Sequence, residues 1–225
     1  MKKETVTTNQ ITEGVIWKQL LLFFFPIVLG TFFQQLYNTA DTIVVGRFVS
    51  KEALAAVGGS AAQIVGLIVG FFVGLASGAS VIISQFYGVS DFKNIRRTTG
   101  FTLTIALGIG LLFFIAAEAF PQYILRIFTK FPEVIEEGSS YVRLAAPTFL
   151  MLAVTQPFTI ALRATQQTRL PLYASAVALA TNTVLNYILI FGKLGLPALG
   201  VNGAALATAI ARLLEMGLIL YVVFG

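Results

Sequence analysis

The chain has 225 residues, of which 57% are hydrophobic and 11% are charged, and its mean hydropathy is +0.86. A soluble domain carries about 25% charged residues, so this chain has too few polar residues to coat a water-exposed surface, and a soluble fold is excluded. It has no His and no Cys, which excludes His-based acid–base chemistry, Ser-His and Cys-His nucleophiles, the usual zinc sites and disulfides.

Six apolar stretches are long enough to cross a membrane, because a spanning helix needs about 20 mostly apolar residues. In chain order they are Leu20–Val45, Ala53–Phe86, Thr98–Phe120, Val142–Leu162, Leu172–Phe191 and Ala204–Phe224. None alternates polar and apolar residues as a membrane β-strand does. The sequence therefore predicts an all-α membrane protein, with residues 1–15 as a tail and residues 16–225 as a bundle of six transmembrane helices.

The intervening segments are predicted to be loops, including Gly88–Arg97, Pro121–Tyr141 and Arg163–Pro171. Lys and Arg are slightly more frequent in the N-terminus and the even-numbered loops than in the odd-numbered loops. By the positive-inside rule, this bias predicts a multi-pass protein of the plasma (inner) membrane with a cytoplasmic N-terminus.

The first segment carries polar side chains within an apolar run. Gln34, Asn38 and Asp41 are spaced i, i+4, i+7, which places them on one face of a helix. Asp41 either caps or kinks a helix end near water or is a cation-binding carboxylate. Because burial disfavours the charged form, such an Asp can carry a proton near neutral pH, and it can equally bind Na⁺.

The second segment has glycines at intervals of four or a multiple of four, which predict close packing against neighbouring helices: Gly58, Gly66, Gly70, Gly74 and Gly78. Prolines lie inside the first and fourth segments, at Pro26, Pro147 and Pro157. Each removes a backbone donor and can kink a membrane helix, so each is a candidate hinge or an ordinary bend.

The fifth segment places Ser175, Asn182 and Asn186 on one helix face. The two Asn side chains either join helices by hydrogen bonds or belong to a site, and their spacing favours neither interpretation. On the sixth segment, Arg212 and Glu215 are three residues apart and can neutralise each other, which predicts a self-contained ion pair.

Several of these residues occur in an order that resembles the N-terminal six-helix lobe of the multidrug and toxic compound extrusion (MATE) family. The similarity runs from about Ile16 onward and rests on Pro26, Gly30, Gln34, Asn38, Thr39, Asp41 and Val45-Gly46-Arg47; Ala53-Leu54-Ala55-Ala56-Val57; Pro157 and Ala161-Leu162-Arg163-Ala164-Thr165-Gln166; Asn182 and Asn186 to Gly192; and Gly200 to Thr208.

The resemblance implies one lobe of a two-lobe antiporter that exports amphipathic, often cationic drugs in exchange for H⁺ or Na⁺ by alternating access. It implies a cation site at Asp41, with Asn182 and Asn186 as polar partners and no cofactor beyond the coupling ion; Gln34 and Asn38, on the same helix face as Asp41, are further candidates for this site. It implies a hinge at Pro26. Secondary candidates in the sixth segment are Thr208, Arg212 and Glu215. Some members have Asp in place of Asn186, so the implied proton site has one carboxylate here.

The expected partners are an amphipathic small molecule, the bilayer, and a second six-helix lobe or a second copy of the chain, since the family is about twice this length and the chain looks truncated. A nucleic-acid partner is not expected, because the net charge of +5 forms no dense basic patch. The alternatives are a flippase for lipid-linked saccharides or a non-transporting membrane subunit. An enzyme is not expected, because the chain has no His and one membrane-embedded Asp.

Overall fold

The computed structural model describes residues 16–48, 55–193, 195 and 197–224; within these ranges the side chains of residues 16, 19, 22, 23, 34, 37, 38, 40–48, 56 and 57 lie outside the description. Every regular element in the described ranges is helical. The α-helices are α1 (Ile16–Phe48), α2 (Ala62–Gly88), α3 (Phe92–Ala119), α4 (Pro121–Arg126), α5 (Pro132–Ala145), α6 (Pro147–Ala164), α7 (Arg169–Phe191) and α8 (Gly200–Phe224). A π-helix, Ala55–Ala61, leads directly into α2.

The described residues include four helices long and apolar enough to cross a membrane, and five crossings if one bent pair counts as a single span. The four are Gly58–Gly88, α3, α7 and α8, and the bent pair is α5 with α6. These crossings coincide with the second to sixth predicted segments. The all-α membrane fold is therefore confirmed.

Helix α1 coincides with the first predicted segment. It runs unbroken for 33 residues with Pro26 inside it. Among its described residues the apolar part is Phe24–Phe33, which is shorter than a helix that crosses a membrane. The sixth crossing therefore stays a prediction.

The bent pair follows from a proline at the junction. Helices α5 and α6 meet at an angle of 47° on either side of Ala146. Because Pro147 has no N–H, the usual bond to the carbonyl one turn earlier is missing, and instead the Ala146 N–H donates to the Arg143 carbonyl at 3.1 Å. The sequence predicted one bendable segment here, and the structure places the bend at Pro147.

All three of the loops named from the sequence are wrong in extent. The loop Arg163–Pro171 reduces to residues 165–168, since α6 ends at Ala164 and α7 begins at Arg169. The loop Gly88–Arg97 reduces to residues 89–91, because Asp91 caps α3 by accepting a 3.1 Å hydrogen bond from the Asn94 N–H. This bond and a second from the Asn94 side chain hold the pKa of Asp91 below its ordinary value. The predicted loop Pro121–Tyr141 contains α4 and most of α5. Both helices contain charged residues and lack a long apolar run, so the sequence pattern did not predict them.

The core forms around α6, which packs against α2, α3 and α8. Its fully buried Phe149 belongs to the main hydrophobic cluster, together with Phe72 of α2 and Val142 of α5. Helix α1 packs mainly against α7, and α7 packs closely against α8. The lobe is therefore built so that α1, α7 and α8 adjoin one another.

The predicted packing role of the α2 glycines is not realised among the described residues. Gly66, Gly70, Gly74 and Gly78 are exposed, and no atom outside their own helix lies within 4 Å of where a Cβ would stand. Helix α2 instead turns its larger side chains inward, from Ile64 to Ile83. Close helix approach occurs at Gly110 of α3 and Gly203 of α8.

Candidate functional site

The interface between α7 and α8 carries polar contacts inside the lobe. The Ser175 hydroxyl donates to Glu215 Oε1 at 2.8 Å, and the Asn182 amide donates to Thr208 Oγ1 at 3.4 Å. Ser175 and Asn182 are seven residues apart on α7, as are Thr208 and Glu215 on α8, so the two contacts are separated by about 10.5 Å along the antiparallel helices. We call these four residues the polar ladder.

A third contact extends the ladder along α7. The Asn186 amide donates to Asn182 Oδ1 at 3.1 Å, and both side chains are essentially inaccessible to solvent. This confirms that the two Asn side chains share a buried face. The structure shows that Asn182 joins two helices.

The predicted self-contained ion pair is wrong in one respect. Arg212 does pair with Glu215 Oε2 at 2.8 Å, as the three-residue spacing indicated. However, the other oxygen of Glu215 accepts the hydrogen bond from Ser175 of α7, and the Glu215 side chain is buried. The pair is therefore part of the contact between α7 and α8. A buried carboxylate needs partners for both of its oxygens, and Ser175 supplies the partner that Arg212 does not.

Arg163 lies beside this pair, although the sequence placed it at the start of a loop. It belongs to the last turn of α6 and is half-buried. Its Nη2 lies 3.5 Å from the position that a Cβ on Gly30 of α1 would occupy, and it interacts electrostatically with Glu215. The sequence signal was an arginine directly after the apolar run that ends at Leu162.

Pro26 and Gly30 place α1 against this region. Pro26 is half-buried inside α1, and Gly30 is buried one turn later. Leu172, in the first turn of α7, has its Cδ1 3.9 Å from the Cβ position of Gly30. Any change in the shape of α1 after Pro26 therefore changes its contact with α6 and α7.

The remaining predicted site residues lie farther along α1. The side chains of Gln34, Asn38 and Asp41 are outside the described residues, so their association with Asn182 and Asn186 stays a prediction. The backbone of α1 places Asp41 about 16.5 Å beyond Gly30. No group of three or more Asp or Glu that could hold a metal ion occurs in the part of the chain that the structure describes. Na⁺ at Asp41 likewise stays a prediction.

The family model MatE matches residues 26–188 of this all-helical lobe. The chain belongs to the MatE family. The resemblance to the family is thereby confirmed, and proteins of the MatE family are transporters rather than enzymes.

Curated relatives agree with the MatE assignment. The chain is 28% identical to the "Probable multidrug resistance protein YoeA" of Bacillus subtilis over 94% of this chain and 45% of YoeA. It is 28% identical to the "Probable multidrug resistance protein NorM" of Thermotoga maritima over 93% of this chain and 45% of NorM. The chain spans about half the length of the curated relatives it matches.

Solved structures of similar proteins have the same fold as this MatE chain. A MOP superfamily transporter from Pyrococcus furiosus Vc1 matches 92% of this chain and 45% of that chain, with 26% identity and a TM-score of 0.81. A MATE protein in a straight conformation matches 97% of this chain and 48% of that chain, with 26% identity and a TM-score of 0.81. A MATE protein in a bent conformation gives a TM-score of 0.79 at 26% identity, over 88% of this chain and 43% of that chain.

Proposed function

We propose that this chain forms one lobe of a secondary antiporter that exports amphipathic, cationic drugs in exchange for H⁺ or Na⁺ by alternating access. The observation that carries the proposal is the connected polar surface on α7 and α8, formed by the buried Asn182 and Asn186 and the half-buried Thr208, in a membrane lobe of the MatE family. Polar groups are costly in hydrocarbon, so a connected set of them marks a candidate ion pathway.

The proposed cation site combines Asp41 with this surface. A carboxylate supplies the charge that a proton or Na⁺ requires, and neutral amide oxygens complete the ligand set without adding charge. Gln34 and Asn38 share the helix face of Asp41 in the sequence pattern, and Asn182 and Asn186 supply amides from α7. Helix α1 packs mainly against α7, which supports this assignment.

The test is ion-driven efflux by the complete protein in proteoliposomes, with a pH gradient and a Na⁺ gradient imposed separately. We expect Asp41→Asn to reduce drug efflux to the level of empty vesicles, because the amide cannot change its charge when the ion binds or leaves. Comparison of the two gradients identifies the coupling ion. Normal ion-driven export by this variant would remove Asp41 from the mechanism.

The chain offers a matched control for this substitution. Asp91 lies in the turn before α3 and serves as a helix cap. Asn is as good a cap as Asp, so Asp91→Asn should retain both the fold and the transport rate. Loss of efflux in both variants would indicate a general sensitivity to carboxylate removal.

A further inference from the structure

Arg163 lies at the junction of α1, α6 and α7, where its guanidinium lies beside Gly30 of α1. Its Nη2 is 3.5 Å from the Cβ position of Gly30 on α1, and Leu172 of α7 lies against the same position. The side chain is half-buried, so part of it stays exposed at the surface of the lobe. A β-carbon at Gly30 would stand in van der Waals contact with the guanidinium.

The charges around this junction do not balance. Arg163 and Arg212 face a single carboxylate, Glu215, within the part of the lobe that the structure describes. Both oxygens of that carboxylate are occupied, Oε1 by Ser175 and Oε2 by Arg212. Arg163 interacts with Glu215 electrostatically, but the hydrogen bonds and ion pairs among the described residues include none from its guanidinium. The three charged groups therefore carry a net positive charge.

The helix ends at this junction do not remove that charge. Arg163 lies in the last turn of α6, where the helix dipole contributes a partial negative charge of about half a unit. The first turn of α7 contributes a partial positive charge of the same size, and its N-cap residue, Thr168, makes no side-chain capping bond. The two helix ends offset each other, and the excess positive charge remains with Arg163.

We propose that Arg163 binds the oxyanion group, phosphate or carboxylate, of an amphiphile at the junction of α1, α6 and α7. A guanidinium presents a planar fork of donors that matches two oxygens of such a group, and it remains charged at any physiological pH. Glu215 is buried and already bound on both oxygens, so it opposes the anion at longer range instead of competing for the same donors. The site is separate from Asp41, which lies about 16.5 Å farther along α1.

The experiment measures anion binding to the complete purified protein after delipidation in a neutral detergent. The probes are dihexanoyl phosphatidylglycerol, followed by native mass spectrometry, and inorganic phosphate, followed by equilibrium dialysis. We expect Arg163→Gln to weaken binding by about tenfold or more, the size typical of a lost charge-assisted hydrogen bond. Arg143→Gln, on the exposed side of α5, removes an arginine of the same kind elsewhere and should leave binding unchanged.

A second variant tests the proposal if Arg163→Gln fails to fold. Glu215→Gln keeps acceptor and donor atoms for Ser175 and Arg212 but removes the negative charge that faces Arg163. We expect it to bind the probes several-fold more tightly than the unmodified protein, because the opposing charge is gone. A merely structural role of Arg163 would give no tightening in this variant.

The two probes distinguish the source of the oxyanion. Binding of phosphatidylglycerol alone supports a lipid headgroup, and binding of both probes supports an oxyanion that need not be attached to lipid. Absence of binding for both probes overturns the proposal. Equal effects of the Arg163 and Arg143 substitutions, or unchanged or weaker binding by Glu215→Gln, also overturn it. Transport by Asp41 variants is independent of every one of these outcomes.

Discussion

At the scale of single residues, the polar ladder shows how a membrane helix pair accommodates groups that hydrocarbon cannot solvate. Ser175 and Thr208 are neutral partners, and each contacts a side chain of the facing helix. Glu215 carries a buried carboxyl group, which contacts Ser175 of α7 and Arg212 of its own helix. The ladder therefore fixes the register of α7 against α8, because a shift of one turn would separate both pairs.

Replacement of Ser175 tests the strength of one contact of the ladder. Ser175→Ala removes the hydroxyl that donates to Glu215 Oε1, and we expect the free energy of unfolding in detergent to fall by about 1–2 kcal/mol, because the lost bond is interhelical and its acceptor is charged. The measurement is a reversible unfolding titration in mixed micelles. A double-mutant cycle with Glu215→Gln, which keeps an acceptor oxygen, measures how much of this energy depends on the charge of the acceptor.

The control for this prediction lies on the same helix. The Thr183 hydroxyl is exposed and donates to the Leu179 carbonyl of its own helix. Thr183→Ala should therefore change stability by less than about 0.5 kcal/mol. An equal loss in both variants would show that the effect comes from helix propensity instead of the contact.

The site could be predicted in part from the sequence. The shared face of Ser175, Asn182 and Asn186 follows from the period of the α-helix, and it was predicted correctly. The partner of Glu215 on α7 could not be predicted, because the register of two packed helices depends on the side chains of both. The contacts of Arg163 could not be predicted for a related reason: its neighbours Gly30 and Glu215 are distant in sequence.

At the scale of helices, glycine spacing alone did not predict which helices approach closely within the described part of the lobe. The regular glycines of α2 are exposed, whereas Gly110 and Gly203, which belong to no stripe, mark close approaches. A Cβ on Gly110 would lie 2.8 Å from the Ala153 Cβ, and one on Gly203 would lie 2.8 Å from the Leu189 carbonyl carbon and oxygen. Regular glycine spacing shows that another helix can pack closely against α2. Which helices pack closely in fact depends on the whole fold.

The contact between α7 and α8 makes Gly203 sensitive to a single methyl group. The space that a β-carbon requires is occupied by backbone, which cannot move aside as a side chain can. We expect Gly203→Ala to destabilise the protein by about 1–3 kcal/mol. Gly217→Ala, on the exposed part of the same helix, should be neutral or slightly stabilising, since no neighbouring atom lies within 4 Å of its Cβ position. A smaller loss for Gly203→Ala than for Gly217→Ala would contradict the close approach.

Bending of α1 is the second prediction at this scale. Pro26 removes one hydrogen bond from the backbone of α1, which allows the helix to bend at that point. We expect spin labels at Lys18→Cys and Leu36→Cys, two exposed positions on either side of Pro26, to give two distance populations in the unmodified background and one narrow population after Pro26→Ala. Pro157→Ala, inside α6, should preserve both populations. Two populations in every variant would remove Pro26 as the hinge.

At the scale of the whole molecule, the fold places charged residues beyond both ends of the membrane-spanning helix α3. Lys93 lies at the start of α3, and Lys130 lies beyond its other end, after α4. Helix α3 has 28 residues and is about 42 Å long, enough to cross the hydrocarbon. The two lysines are therefore expected on opposite faces, with Lys93 inside by the positive-inside rule.

The absence of Cys from the chain makes this topology directly testable. In intact cells, we expect a membrane-impermeant maleimide to label Lys130→Cys but to label Lys93→Cys only after permeabilisation. Both positions are exposed in the structure, so a lack of labelling reports the side of the membrane and not burial. Labelling of Lys93→Cys alone in intact cells would invert the proposed orientation.

The charged pair on α8 also affects how the chain is inserted during synthesis. Each charged side chain at the centre of a helix costs about 3 kcal/mol on the insertion scale, so Arg212 and Glu215 make α8 a poor substrate for the translocon on its own. Ser175 reaches Glu215 only when α7 is alongside. We therefore expect α7 and α8 to leave the translocon together as a helical hairpin. The need to satisfy one buried carboxylate would then determine when these two helices enter the membrane.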